Sequence, residues 1–284
     1  MKLKSTKLTH VLITITLVLT SSGCASLFGS GHCVPIQNTV TDSDFTVKLL
    51  SYSPAKPSDK TLFIFPPTGG TNTVDKSYAS QFCKKGFQVQ ILDGWTQDQE
   101  TEIDFEIHQS FYSKAQRAIA LALSQSKTKF NGLIGTSVGG LHASISASLQ
   151  DRLDAVFVIT AGTPIAEVVV YSDQKAMQEL NKRRKDKFKT TSDADQILRI
   201  GQAFKLDPTT LGDGFKAKDL GVSIATKDTV VPIEQQNKLR DLWKPKKEIY
   251  IENDHFWGIV KTWLFHSDDL IEFFQQSAAK KLKL

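Results

Sequence analysis

The sequence predicts an α/β fold, with a mostly parallel central sheet covered by helices on both faces. Two observations carry that expectation. Short β-branched or aromatic runs recur at residues 45–51, 61–65, 87–92, 130–134, 155–160, 220–226 and 248–251, mostly bounded by Gly, Pro, Asp or Asn. Helical patterns fill the gaps, as where Phe111, Ala115, Ala118 and Ala122, and later Ile259, Trp263, Leu270 and Phe273, recur at roughly helical spacing. Strands alternating with helices imply parallel pairing through crossovers, and in such sheets a ligand site lies beyond the carboxyl ends of the strands. The composition agrees: with 40% hydrophobic and 23% charged residues, the chain of 284 residues is neither disordered nor fibrous.

Residues 1–9 are polar and carry Lys2, Lys4 and Lys7, residues 11–19 (VLITITLVL) are apolar, and small residues then lead to Ser22-Gly23-Cys24-Ala25. This is a secretory signal pattern, expected over residues 1–23. The apolar run is less than half of the ~20 residues that cross a bilayer, so cleavage is expected and not a permanent span. The small residues ending in Cys24 resemble a bacterial lipobox, which implies a lipid on Cys24 and a membrane partner through that anchor. Ser21 stands where that pattern usually has Leu, and ordinary cleavage to a soluble periplasmic protein is the alternative. Ala25, in place of the Asp of an inner-membrane retention signal, points to the outer membrane. Removing the three lysines leaves 32 basic against 30 acidic residues, a balance that gives no case for a nucleic-acid partner.

Residues 24–43, rich in Gly, Ser, Asn, Thr and Asp from residue 29 onward, are expected to be a tether leading to a domain at 44–284. Within that domain, residues 161–218 form an insertion longer than a simple crossover needs. It holds an apolar stretch (165–171), a basic run (Lys182, Arg183, Arg184, Lys185, Lys187 and Lys189) expected to be a solvated helix face, and a second helical pattern at 193–204.

The chemistry sits at the strand ends. The apolar strand 130–134 runs into Gly135-Thr136-Ser137-Val138-Gly139-Gly140 and then into a small-residue helix, which is G-x-S-x-G in a strand-turn-helix context. A sharp turn there exposes the serine oxygen, and glycines at the flanks avoid the neighbouring strand and helix. The helix starting at Val138 aims its free N–H groups at a developing oxyanion. On these residues the chain, from about residue 44 to 280, resembles the α/β-hydrolases. That resemblance implies the order nucleophile, acid, histidine, and a helical lid at the insertion. Lys227-Asp228-Thr229-Val230-Val231-Pro232, after the strand 220–226, resembles the family's acid loop, and Asn253-Asp254-His255-Phe256-Trp257 resembles its histidine loop.

A serine hydroxyl is a weak nucleophile, so a neutral imidazole must take its proton, and a carboxylate must fix that imidazole's tautomer. Ser137, His255 and Asp228 are the candidates for these roles. His10 and His32 lie before the domain, His108 and His266 lie in helical segments, and His142 is expected to pack in the elbow helix. An oxyanion hole needs two N–H donors; Val138 supplies one, and the loop Pro66-Pro67-Thr68-Gly69-Gly70 supplies the second from Thr68 or Gly69, since proline has no N–H. Motifs for metals, phosphates or dinucleotides are absent, so no cofactor or metal is expected.

The implied activity is hydrolysis of a small-molecule or lipid carboxylic ester through an acyl-enzyme. Thioesterase, acyltransferase or amidase activity would use the same triad, and a binding lipoprotein retaining the fold is the non-catalytic alternative. Cys33 and Cys83 remain once Cys24 is assigned, and an oxidising compartment favours a bond between them, two separate thiols being the other outcome.

Overall fold

The computed structural model of the protein describes residues 32–93 and 102–283. The expected signal segment and Cys24 lie outside the described residues.

Eight strands form one sheet: β1 (Ile36–Asp42), β2 (Phe45–Tyr52), β3 (Lys60–Phe65), β4 (Gln88–Asp93), β5 (Phe130–Thr136), β6 (Ala155–Ile159), β7 (Asp219–Ala225) and β8 (Lys247–Ile251). Their spatial order is β1-β2-β4-β3-β5-β6-β7-β8. The pairs β1–β2 and β2–β4 are antiparallel, and every pair from β4 to β8 is parallel.

Residues 36–42, expected within the tether, instead form β1. It pairs with β2 from Ile36 opposite Ser51 to Asp42 opposite Phe45, through a two-residue turn in which Ser43 has φ 50°. Nearly all its side chains are exposed on both faces, so a polar composition satisfies an edge strand as well as a tether.

The central strands are apolar because both sheet faces are covered. Successive residues of β3 divide between two cores, Leu62 and Ile64 into one and Phe63 and Phe65 into the other, by the two-residue period of a strand. The first core is closed by α1 (Thr73–Lys84) and the long α9 (His255–Lys283), through Tyr78, Phe82, Leu270 and Phe274. The other is closed by α2 (Phe105–Gln125), α3 (Val138–Leu149) and α8 (Ile233–Trp243), through Ala115, Ala118, Ala143, Ala147 and Leu239.

Between β6 and β7 the insertion folds as α4 (Ile165–Tyr171), α5 (Lys175–Phe188), α6 (Asp193–Ala203) and α7 (Pro208–Leu211). A third apolar cluster joins it to the domain, with Ile165, Val169, Ile200 and Phe204 against Tyr112 of α2 and Leu141 of α3. Buried Asp207 fastens its start to its end, accepting hydrogen bonds from the Thr163 hydroxyl at 2.9 Å and the Ile165 N–H at 2.5 Å. The basic run departs from expectation at one position: Lys182, Arg183, Lys187 and Lys189 are exposed, but Arg184 is fully buried.

Cys33 and Cys83 are joined by a disulfide with Cα atoms 5.6 Å apart, which ties the segment before β1 to α1.

Candidate active site

At the carboxyl end of β5 the chain turns through Ser137 into α3. Ser137 has φ 55° and ψ −121°, a conformation that costs about 1–3 kcal/mol for a residue with a side chain. Its N–H is fixed by the Ile159 carbonyl of β6 at 2.9 Å. The glycines of the motif are required by closeness: a Cβ on Gly139 would sit 2.2 Å from the Phe65 carbonyl oxygen, and one on Gly135 would sit 2.2 Å from that of Gly139. The elbow is therefore pressed between β3 and its own helix.

Ser137 occupies the N-cap of α3 without capping it. Its hydroxyl instead donates to His255 Nε2 at 2.9 Å. His255 is the first residue of α9, so the expected histidine loop ends at Asp254. The Asp254 carboxylate accepts from the Trp257 N–H at 2.9 Å, which turns it to the helix and away from the ring of His255. The other ring nitrogen, Nδ1, donates to Asp228 Oδ2 at 2.7 Å.

Asp228 is buried, and every direction around its carboxylate is used. Oδ1 accepts from the N–H groups of Val230 and Val231, both at 2.9 Å, and Oδ2 accepts from the Gln236 amide at 2.9 Å as well as from His255. Loop shaping and orientation of the histidine are thus combined in one residue. Gln236 adds a clamp the sequence reading missed, since its amide also donates to the Val231 carbonyl at 2.7 Å and its oxygen accepts from the Ala225 N–H of β7 at 3.1 Å.

Val138 and Thr68 border one pocket with Ser137. Gly69, at φ 100°, lies in the turn closed by the Gly70 N–H on the Pro67 carbonyl at 3.1 Å.

No family model matches the chain, and no curated protein matches it. Solved structures do. An acylaminoacyl peptidase from Pyrococcus horikoshii superposes with a TM-score of 0.63 at 13% identity, over 86% of this chain and 42% of that one. Est1E from Butyrivibrio proteoclasticus gives 0.64 at 11% identity, over 86% and 99% of the two chains. The esterase Pf2001 from Pyrococcus furiosus gives 0.55 at 16% identity, over 86% and 92%. This chain spans about two fifths of the peptidase and nearly all of the other two.

The fold is that of the α/β-hydrolases.

In this α/β-hydrolase fold the pocket beside Ser137 is walled by apolar side chains from four elements, Tyr112 of α2, Leu141 of α3, Ile165 and Val169 of α4, and Met177 of α5. The insertion therefore forms one wall of the site. The link between α4 and α5 is tied to the acid loop, since the Asp173 N–H donates to the Thr229 carbonyl at 2.9 Å and the Thr229 hydroxyl to Asp173 Oδ2 at 2.5 Å.

Two further histidines lie beneath the site without joining the Ser137 chain. His142 is fully buried among Phe65, Phe111 and Tyr112, and burial lowers it to about 3, so it packs as a neutral ring. His108 borders the pocket and hydrogen-bonds Arg184 Nη2 through Nδ1 at 2.7 Å. Burial, and then the neighbouring guanidinium, lower it to about 3. His142 packs in the elbow helix as expected, whereas the His108–Arg184 contact had no signal in the sequence, because the two are 76 residues apart.

Proposed function

We propose that this protein is a serine hydrolase that cleaves a carboxylic ester through an acyl-enzyme intermediate. The observation that carries the reading is the continuous hydrogen-bond chain from Ser137 Oγ through His255 to Asp228, at 2.9 and 2.7 Å, beyond the strand ends. His255 Nε2 takes the proton from Ser137 Oγ as that oxygen attacks the ester carbonyl carbon. Asp228 steadies the imidazolium that forms. The Val138 and Thr68 N–H groups receive the oxyanion, a role worth about 3–4 kcal/mol of barrier per donor. The imidazolium then gives its proton to the departing alkoxide, and water repeats the sequence to release the acid. The apolar pocket walls suit an acyl chain, and an insertion that walls the pocket is in the position of a lid.

We extend the proposal to the N-terminus: Cys24 carries a lipid that anchors the enzyme to the cell envelope, at the outer membrane of a Gram-negative cell.

A fluorophosphonate probe tests the chemistry. It is expected to label the wild type and not Ser137→Ala, which should also lose hydrolysis of short 4-nitrophenyl esters by a factor of about 10⁴ or more. Near wild-type turnover in Ser137→Ala would overturn the assignment.

A further inference from the structure

The pocket beside Ser137 is apolar on most sides, yet a polar ring is built into its wall. His108, on the first turn of α2, is 2% exposed and packs edge-on against Phe204, with ring centroids 4.8 Å apart. Its Nδ1 faces a fully buried guanidinium. Arg184 spends its other hydrogen bonds on backbone, from Nη2 to the Glu102 carbonyl at 2.6 Å and from Nε to the Ile103 carbonyl at 3.2 Å. The side chain also lies over the Phe105 ring at 4.8 Å.

This contact fixes the state of the histidine by elementary bookkeeping of protons. A guanidinium only donates, and it keeps its charge in a protein. Nδ1 must therefore be the acceptor, which leaves the ring neutral with its one proton on Nε2. Among the described residues, the hydrogen bond with Arg184 through Nδ1 is the one that the His108 ring makes, and the ring lines the pocket. A donor in an apolar pocket, desolvated when the pocket fills, is costly to leave unpaired and rewards a ligand that brings an acceptor. The cation directly behind the ring strengthens the donor.

We propose that His108 is a specificity-determining residue: its Nε2–H, held in place by Arg184 of the insertion, donates to an oxygen acceptor carried along the acyl chain of the substrate. The preferred substrates are then esters of oxygen-bearing acids, such as oxo-acyl or dicarboxylic half-esters, and not of plain alkanoic acids. The inference rests on the hydrolase reading of Ser137 and deepens it.

The full-length enzyme decides the matter with 4-nitrophenyl hexanoate and its 4-oxo and 5-oxo analogues, which exchange one methylene for a carbonyl at nearly constant size. At least one oxo ester is expected to exceed hexanoate in kcat/KM by about tenfold. In His108→Phe that ratio should fall to near one. His108→Gln should recover much of it, because its amide oxygen accepts from Arg184 while its N–H replaces the Nε2–H. Melting curves taken in parallel show which variants are folded. A wild type that prefers neither an oxo ester nor the ester with a terminal carboxylate over hexanoate overturns the proposal, whether or not His108→Phe folds, and so does an unchanged preference in folded His108→Phe. Labelling of Ser137 by fluorophosphonate together with a flat ester panel removes this inference alone; failure to label removes the hydrolase reading with it. An ester with a terminal carboxylate, run beside the oxo series, tells an anionic acceptor from a neutral one.

Discussion

Ser137 stands where a serine ordinarily turns its oxygen back onto the first N–H groups of a helix, and its left-handed φ of 55° sends the hydroxyl to His255 instead. That leaves the N-terminus of α3 free for another oxygen. The sequence shows this arrangement because its parts are local: a strand, a glycine-flanked serine and a helix within about twenty residues. Asp228 and His255 are legible for the same reason, each lying just past a short apolar strand. Gln236, His108 and Arg184 are not, because their roles exist only where distant elements meet. Asp228→Asn tests the orientation role at this scale. Its amide would place an N–H against Nδ1 of His255 and favour the wrong tautomer, so kcat should fall by about 10⁴ while the variant remains folded. Activity within tenfold of wild type would show that Asp228 does not orient His255.

At the scale of elements, α1 and β1 hold two further consequences. Asp75 sits at the third position of α1 in a capping box, its carboxylate accepting from the Asn72 N–H at 3.0 Å while Asn72 Oδ1 accepts from the Val74 and Asp75 N–H groups at 2.7 and 3.2 Å. Burial raises this carboxyl to about 7. The folded state thus binds its proton more tightly than the unfolded chain, where an Asp titrates near about 4. That contribution to stability is complete below pH ~4 and is lost as pH rises through ~7. Asp75→Asn keeps an acceptor for Asn72 and removes the titration, so the Tm of wild type should fall relative to the variant between pH 4 and 8. Parallel Tm curves would count against it.

The disulfide between Cys33 and Cys83 closes a separation of 50 residues, worth at most about 4 kcal/mol in the chain-entropy model. Cys33→Ser with Cys83→Ser should lower the Tm by roughly 10 °C, with the earliest loss of hydrogen-exchange protection in β1. Unchanged protection in β1 would mean that hairpin pairing alone secures it. The polar composition of residues 36–42 concealed this strand from the sequence reading, because alternation disappears when neither face is buried.

At the scale of the whole molecule, the proposed lipid on Cys24 would decide where the protein works. Cys24→Ser is expected to lose labelling by an alkyne fatty acid and to move from the membrane to the soluble fraction while keeping the proposed esterase activity. Equal labelling of both forms would sink the anchor. The mostly parallel sheet and its two-sided covering were legible because hydrophobic runs and helical periods report burial directly. The insertion shows as four helices at the expected place, but the inward turn of Arg184 within a run of exposed cations carries no periodic mark.

An open sheet of eight strands has two outer rows of unpaired backbone groups, and a neighbouring molecule could add a strand to either. On one side that row belongs to β1, whose side chains include Gln37, Asn38, Thr39 and Asp42 and whose approach is stapled through Cys33. On the other it belongs to β8, only five residues long, whose Lys247 and Glu248 bring charge to the border. Both margins discourage fibril-like stacking of copies, and the polar face that makes β1 a weak contributor to the core makes it a good gatekeeper against self-association.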